Sequence, residues 1–185
     1  LLDGLDTLAV KTNMVSFLAF AFMGHQVGST LITGISLSGV GALAAFYLFN
    51  RTPAKVYLGE IGGTFLGFSY LILMSLFQHH EIRSSNTINL FFCAALPITL
   101  PIIELFVSFL RRMLNSKSPF KGDRLHMHYI LTNNYNFSVS KATNLYGLIN
   151  LVVVTMALTA YYYFNIHAGF VTVAAVTIWL AINHF

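Results

Sequence analysis

Long apolar runs, separated by short polar connections, dominate this chain. Six of them approach the roughly 20 residues that a helix needs to cross about 30 Å of hydrocarbon. They cover residues 8–23, 29–49, 62–77, 88–110, 143–164 and 168–185. The pattern predicts an all-α, polytopic bundle with about six transmembrane spans. Pro97 and Pro101 interrupt the fourth run and predict a kink there.

The composition agrees with a membrane protein. Only 9% of the residues are charged and 56% are hydrophobic, whereas a soluble domain has about 25% charged residues. Nine of the ten Lys and Arg residues lie near the start of the chain, in the connection 50–60 and in the connection 111–141. The positive-inside rule predicts that these regions (about 1–8, 50–60 and 111–141) are cytoplasmic. The net charge of +4 therefore indicates membrane topology rather than nucleic-acid binding.

We interpret residues 1–185 as one integral-membrane domain. The chain begins without Met, directly in a polar motif, and it ends inside an apolar run. These features predict that the N-terminal part of a longer domain is missing. The predicted topology also brings carboxylates from three separate connections to one membrane face, beside most of the positive charge. Such a gathering favours a site over scattered surface charge.

The first candidate motif is Asp3-Gly4-Leu5-Asp6. Two carboxylates three residues apart lie on the same side of a helix, and the glycine allows a ligand to approach the backbone. Acidic residues at the start of a helix also stabilise its dipole. Ligand binding and helix capping therefore both remain open for this motif.

The second motif places Glu60 between Gly59 and Gly62 at the mouth of an apolar run. Magnesium is commonly held by one or two carboxylates together with substrate phosphates and water. A solvated glutamate at a flexible hinge is the alternative. We expect Glu60 to be a metal ligand.

The third motif begins at Arg111 and Arg112 and continues through Lys117-Ser-Pro-Phe to Asp123-Arg124-Leu-His126-Met-His128. Guanidinium groups bind phosphate oxygens bidentately, so the segment predicts a polyanion site. An ordinary basic loop that contacts anionic lipid head groups is the alternative. A zinc site at the two histidines lacks a cysteine or a third nearby histidine.

Glu104 lies inside the fourth apolar run. An ionisable residue within a span is costly and indicates function. It precedes Arg111 by about two helical turns on the same face, roughly 10 Å deeper. We expect Glu104 to anchor Arg111, Arg112 or a neighbouring loop.

Together these motifs resemble the polyprenyl-phosphate N-acetylhexosamine-1-phosphate transferases of glycosyltransferase family 4. The likeness is greatest to the branch that acts on UDP-GlcNAc and undecaprenyl phosphate. The family patterns DGxDGLA, VFMGDxGSxFLG, PxxD and RRxxxGxSPFxxDRxHxHH correspond to DGLDTLA, VYLGEIGGTFLG, PIIE and RRMLNSKSPFKGDRLHMHY in this chain. Four positions depart from the patterns: Thr7 replaces Gly, Glu60 and Glu104 replace Asp, and Tyr129 replaces the last His.

The resemblance implies an enzyme of the bacterial cytoplasmic membrane whose active face is cytoplasmic. It implies transfer of N-acetylhexosamine 1-phosphate, expected to be GlcNAc 1-phosphate, from a UDP-sugar to undecaprenyl phosphate, with release of UMP. This step would initiate a cell-envelope polysaccharide such as lipopolysaccharide. Magnesium is the implied cofactor, with manganese as the alternative, and a homodimer is left open.

The implied site residues fall into three groups. Asp3, Asp6 and Glu60 are expected to be catalytic, and Glu60 and Asp3 are the expected metal ligands. The expected substrate-binding residues are Arg111, Arg112, Asp123, Arg124, His126 and His128.

Three alternatives remain. A phospho-MurNAc-pentapeptide transferase is the first, although that branch lacks the SPFxxDRxHxH pattern. A degenerate member that binds lipid phosphate without catalysis is the second, motivated by Glu60 and Tyr129. A transporter is the least favoured, because transporters place ionisable groups near the bilayer midplane.

Overall fold

The computed structural model describes residues 4–81, 87–114, 116, 118 and 126–164. This part of the chain is helical and contains no β-strand, so the predicted all-α class is confirmed. The helices are α1 (Leu8–Gln26), α2 (Thr30–Asn50), α3 (Gly59–Glu81), α4 (Thr87–Ala95), α5 (Thr99–Leu114), α6 (Met127–Asn133) and α7 (Val139–Phe164).

Four described segments are long and apolar enough to cross a membrane. They are Thr30–Asn50, Gly59–His80, Phe91–Leu114 and Val139–Tyr163. Helix α1 has 19 residues, close to the length of a span, but is not one of these four. The predicted run 168–185 lies outside the described residues. The structure therefore supports a multi-pass membrane protein and leaves six as an approximate number of spans.

Helix α1, which is not among these four segments, lies at the centre of the bundle. Helix α1 contacts α2, α3, α7 and the turn between α4 and α5. Its Thr12, Asn13 and Ser16 side chains are buried and donate to carbonyls one turn earlier in α1. Asn13 Nδ2 donates to the Ala9 carbonyl at 2.6 Å, and Asn13 Oδ1 accepts from the Tyr70 hydroxyl. These three side chains are satisfied within the protein, where lipid would offer them no partner.

The proline-containing span is interrupted at the position of the predicted kink. A single 3₁₀ turn, Leu96–Ile98, contains Pro97 and separates α4 from α5. Pro101 falls in the first turn of α5, where an amide has no intrahelical partner to lose. The break leaves α5 as a separate helix that carries Glu104.

Two predicted cytoplasmic connections contain more helix than expected. Helix α3 begins at Gly59, earlier than residue 62, and Glu60 therefore lies in its first turn. Helix α5 continues through Arg111 and Arg112 to Leu114, and α6 lies within the region predicted as a loop from 111 to 141. The helix dipole accounts for the earlier start of α3 and the later end of α5. It favours an acidic residue such as Glu60 in a first turn and cations such as Arg111 and Arg112 in a last turn.

Candidate active site at the loop-bearing end of the bundle

The first motif forms a tight turn that leads into α1. Thr7 caps the helix in the left-handed conformation, with φ of 66°, which β-branched residues rarely adopt. Its amide donates to Asn50 Oδ1 at 2.8 Å, and its hydroxyl lies 3.1 Å from that of Thr143. The turn is therefore fixed to the end of α2 and to the start of α7.

Asp6 and Asn50 fasten this turn to the connection between α2 and α3. Asp6 Oδ2 accepts a hydrogen bond from the Ala54 amide at 3.1 Å. Asn50, which is buried, donates from Nδ2 to the Val56 carbonyl at 2.8 Å. One Asp6 oxygen therefore holds the connection that leads to Glu60. The first and second motifs are parts of one hydrogen-bonded unit.

The third motif contacts the first at Gly4. The Tyr129 hydroxyl donates to the Gly4 carbonyl at 3.4 Å. A Cβ atom added at Gly4 would lie 2.5 Å from the Tyr129 hydroxyl and 3.2 Å from His128 Nε2. Only glycine allows this close approach. The loops that the sequence placed on one side of the membrane therefore meet in the structure.

Glu60 stands beside a groove between α1, α3 and α5. The groove has a volume of about 770 Å³, and Glu60 itself is exposed. In the part of the chain that is described, no hydrogen bond or ion pair engages the Glu60 side chain. Apolar side chains make up most of the lining, among them Leu58, Leu66, Ile98, Pro101, Ile102 and Leu105. A free carboxylate thus adjoins an apolar groove.

Glu104 has the opposite environment, being only 2% exposed. Its Oε2 accepts from the Tyr146 hydroxyl at 2.6 Å, and its Oε1 accepts from the Met127 amide at 3.0 Å. The same Oε1 lies 3.9 Å from His126 Nδ1 and 4.0 Å from His128 Nδ1. Glu104 therefore holds the start of α6, which confirms the expectation that it anchors a neighbouring loop.

The two histidines of the third motif stack on each other beside Glu104. Their ring centroids are 5.6 Å apart and their planes differ by 5°. His126 Nδ1 lies 3.2 Å from the Ser108 hydroxyl, while His128 is fully buried. Burial, reinforced by the adjacent His126, lowers the pKa of His128 to about 4. His128 is therefore neutral at physiological pH.

The remaining predicted site residues divide into described and undescribed ones. Arg111 and Arg112 are half-buried in the last turn of α5, and Arg111 interacts electrostatically with Glu104. Asp3, Asp123 and Arg124 lie outside the described residues. The structure thus brings Asp6, the histidines and the arginine-bearing end of α5 to one end of the bundle, and the roles assigned to them remain predictions.

Sequence reasoning missed Asn50, Tyr146 and the partners of Lys11. Lys11 donates to Thr143 Oγ1 at 2.9 Å and to Asn144 Oδ1 at 2.7 Å. Asn50 carried a weak signal as a polar residue that ends an apolar run. Tyr146 carried none, because its partner lies 42 positions away in the chain.

A magnesium ion is compatible with the donors that are present. Among the described residues, no three His, Cys, Asp or Glu side chains form a metal-binding cluster. Magnesium does not require such a cage, because it retains water and accepts substrate phosphates beside one or two carboxylates. The exposed oxygen donors of Glu60 suit this hard cation.

Comparison with known proteins identifies the family. Residues 1–78 match the model of glycosyl transferase family 4. A probable undecaprenyl-phosphate N-acetylglucosaminyl 1-phosphate transferase of Bacillus subtilis is 28% identical over 98% of this chain and 46% of its own length.

Phospho-N-acetylmuramoyl-pentapeptide-transferases are similarly close. The Lactobacillus gasseri protein is 29% identical over 82% of this chain and 45% of its own length. The Staphylococcus carnosus protein is 32% identical over 80% of this chain and 44% of its own length. The chain spans less than half the length of these relatives, and no solved structure matches it. The chain belongs to glycosyl transferase family 4.

Proposed function

We propose that the protein transfers N-acetylhexosamine 1-phosphate, most specifically GlcNAc 1-phosphate, from a UDP-sugar to undecaprenyl phosphate. An oxygen of the lipid phosphate attacks the β-phosphorus of the UDP-sugar. A new P–O bond forms, the bond from that phosphorus to the bridging oxygen breaks, and UMP leaves. The products are UMP and a lipid-diphosphate sugar.

The meeting of the three motifs at one end of the bundle supports this proposal most directly. Tyr129 contacts Gly4, Asp6 binds Ala54, and Glu60 stands at the groove. A lipid-linked acceptor and a soluble nucleotide sugar can react only where membrane and water meet. Carboxylates and cations beside an apolar groove suit that boundary.

The proposed division of labour follows the charges. Arg111 and Arg112 are proposed to bind phosphate oxygens and offset the negative charge of the converging phosphates. His126 is proposed to donate to the diphosphate or the sugar. The rest of the proposed binding site for the nucleotide sugar consists of Asp3, Asp6, Asp123, Arg124 and His128.

Glu60, with Asp3, is proposed to hold magnesium. Bound there, the ion would polarise phosphoryl oxygens and neutralise charge that develops during transfer. The groove beside Glu60 is proposed to receive the isoprenoid chain of the acceptor, because its lining is mainly apolar. The active face is proposed to be cytoplasmic, in line with the distribution of basic residues.

A phospho-MurNAc-pentapeptide transferase is the second candidate. It is favoured by relatives of that name at 29% and 32% identity. The segment from Ser118 to His128 resembles the branch that transfers GlcNAc 1-phosphate. This resemblance favours the GlcNAc reaction.

The test uses the full-length protein in membranes with magnesium and undecaprenyl phosphate. Radiolabelled UDP-GlcNAc and UDP-MurNAc-pentapeptide are supplied in parallel, and lipid products and UMP are measured. We expect a labelled lipid diphosphate and stoichiometric UMP from UDP-GlcNAc alone. Product from the pentapeptide substrate alone would establish the second candidate, and no product from any UDP-sugar with folded protein would indicate a degenerate member.

A further inference from the structure

A pocket lined by two basic residues lies at the connection between α2 and α3. It has a volume of about 390 Å³ and is lined by Leu48, Phe49, Arg51, Thr52, Pro53 and Lys55. Arg51 and Lys55 are both exposed, and neither side chain has a hydrogen-bond or ion-pair partner in the described part of the chain. Two cations therefore line one small pocket, and nothing described neutralises them.

The position of the pocket is set by α2. This helix is long and apolar enough to span a bilayer, and Arg51 follows its last residue directly. Leu48 and Phe49, in its final turn, are 61% and 54% exposed. Apolar side chains at the end of a span suit acyl chains, and cations just beyond them suit the head-group layer.

The backbone that carries the two cations is held in place. The Phe49 carbonyl accepts the Lys55 amide at 2.9 Å and the Val56 amide at 3.4 Å. Asp6 binds the Ala54 amide at 3.1 Å, next to Lys55. These bonds fold the connection back onto the end of α2. The cations are therefore presented from an ordered scaffold, which reduces the entropy lost on binding.

We propose that Arg51 and Lys55 bind the phosphate of an anionic phospholipid of the bilayer, whose acyl chains lie against Leu48 and Phe49. Arg51 donates to phosphate oxygens through its planar guanidinium, and Lys55 contributes a point charge. The pocket does not include Glu60, Arg111 or the histidines, and this lipid is not a substrate. Its occupancy does not depend on the reaction proposed above.

The experiment counts bound lipids on the full-length protein. The protein is purified in neutral detergent with phosphatidylcholine and titrated with phosphatidylglycerol, and lipid adducts are resolved by native mass spectrometry. The test variant is R51Q/K55Q. The control is Lys141→Gln, which removes a cation that is also exposed, at the start of α7, and lies over the Phe137 ring.

We expect R51Q/K55Q to bind phosphatidylglycerol at least about tenfold more weakly, because a hydrogen bond to a charged group contributes roughly that factor or more. Lys141→Gln should change this affinity much less. Thermal unfolding of R51Q/K55Q should match the parent, since the Arg51 and Lys55 side chains have no described partners to lose.

Three results would overturn the proposal. An equal loss in Lys141→Gln would show attraction to surface charge in general. Equal binding of phosphatidylcholine would show that the net negative charge of the lipid is not recognised. Displacement of phosphatidylglycerol by excess inorganic phosphate would show a site for free phosphate instead of lipid. Persistence of lipid binding in phosphate, with the tenfold loss confined to R51Q/K55Q, would establish it.

Discussion

Glu60 and Glu104 both lie in a motif within an apolar surrounding, and both stand where the family pattern has Asp, yet their environments differ. Glu60 is exposed beside a groove and has no described side-chain partner. Glu104 is 2% exposed and accepts hydrogen bonds from Tyr146 and Met127. Burying a carboxylate is costly unless its oxygens are hydrogen-bonded. Both oxygens of Glu104 are used in this way, by Tyr146 and Met127. The carboxylate oxygens of Glu60 accept no hydrogen bond from the described residues.

The two environments suit two different roles for a glutamate carboxylate. Glu104 ties α5, α6 and α7 together and so positions the histidines of the third motif. Glu60 contributes little to that framework and stands where a cation and a phosphate could arrive. We therefore expect substitution of Glu60 to reduce activity without loss of stability, and substitution of Glu104 to reduce both.

The largest expected effect is that of Glu60→Gln. Removing one group that stabilises transition-state charge typically lowers the rate about 10²–10³-fold, so transferase activity in membranes should fall by that order. The thermal unfolding temperature should stay near that of the parent, because the replaced side chain is exposed and has no partner among the described residues. Glu60→Asp restores the family's residue and should retain or exceed parental activity. A parental rate in Glu60→Gln would remove Glu60 from the catalytic group.

Glu104→Leu should cost about 2–4 kcal/mol of unfolding free energy. It leaves the buried Tyr146 hydroxyl and the partly buried Met127 amide without their acceptor, and each donor left unsatisfied costs about 1–2 kcal/mol. Chemical unfolding in detergent measures the change. Tyr146→Phe, which removes one of the two bonds, is the matched control and should lose about half as much. Parental stability in Glu104→Leu would contradict the anchoring role.

Acid should lower the stability of the folded protein through His128, which is buried beside Glu104. Above its ordinary pKa of 6.5, the imidazole is neutral in both folded and unfolded chains. Below that pH the unfolded chain binds a proton that folded His128 does not accept until about pH 4. The free energy of unfolding should therefore fall between pH 6.5 and 4, by on the order of 2 kcal/mol at pH 5.

Unfolding free energy measured against pH tests this expectation. His128→Asn should flatten the profile in that range, relative to the parent, whatever its effect on absolute stability. His25→Asn, at the other end of α1, is the control for removal of a histidine outside this site. An unaltered slope in His128→Asn would assign the acid sensitivity to other groups.

The smallest effect concerns Thr7, another position that departs from the family pattern. Thr7→Gly relieves about 1 kcal/mol of left-handed strain and loses a hydroxyl contact to Thr143 worth about as much. The net change in unfolding free energy should lie within about 0.5 kcal/mol. Thr7→Ala keeps the strain and loses the contact, so it should be the less stable variant. The opposite order in thermal unfolding would contradict the strain at Thr7.

Much of the architecture follows from local patterns. The apolar runs predicted the long helices, and Pro97 predicted the break before α5, because a proline removes a backbone donor wherever it stands. The buried Glu104 was also recognised as an anchor, because an ionisable group within a span needs a partner. In each case the cause lies within a few residues of the feature.

The sequence alone determined the helical class, the distribution of charge and the motifs that indicate the family. Only the tertiary structure decided which residues meet. It made α1 the centre of the bundle despite its polar side chains, chose Asn50 as the partner of Thr7 and Tyr146 as the partner of Glu104, and left Glu60 exposed. The physical reason is that lipid satisfies no hydrogen bond. Polar groups must therefore find one another across the bundle, and their partners lie far apart in the chain.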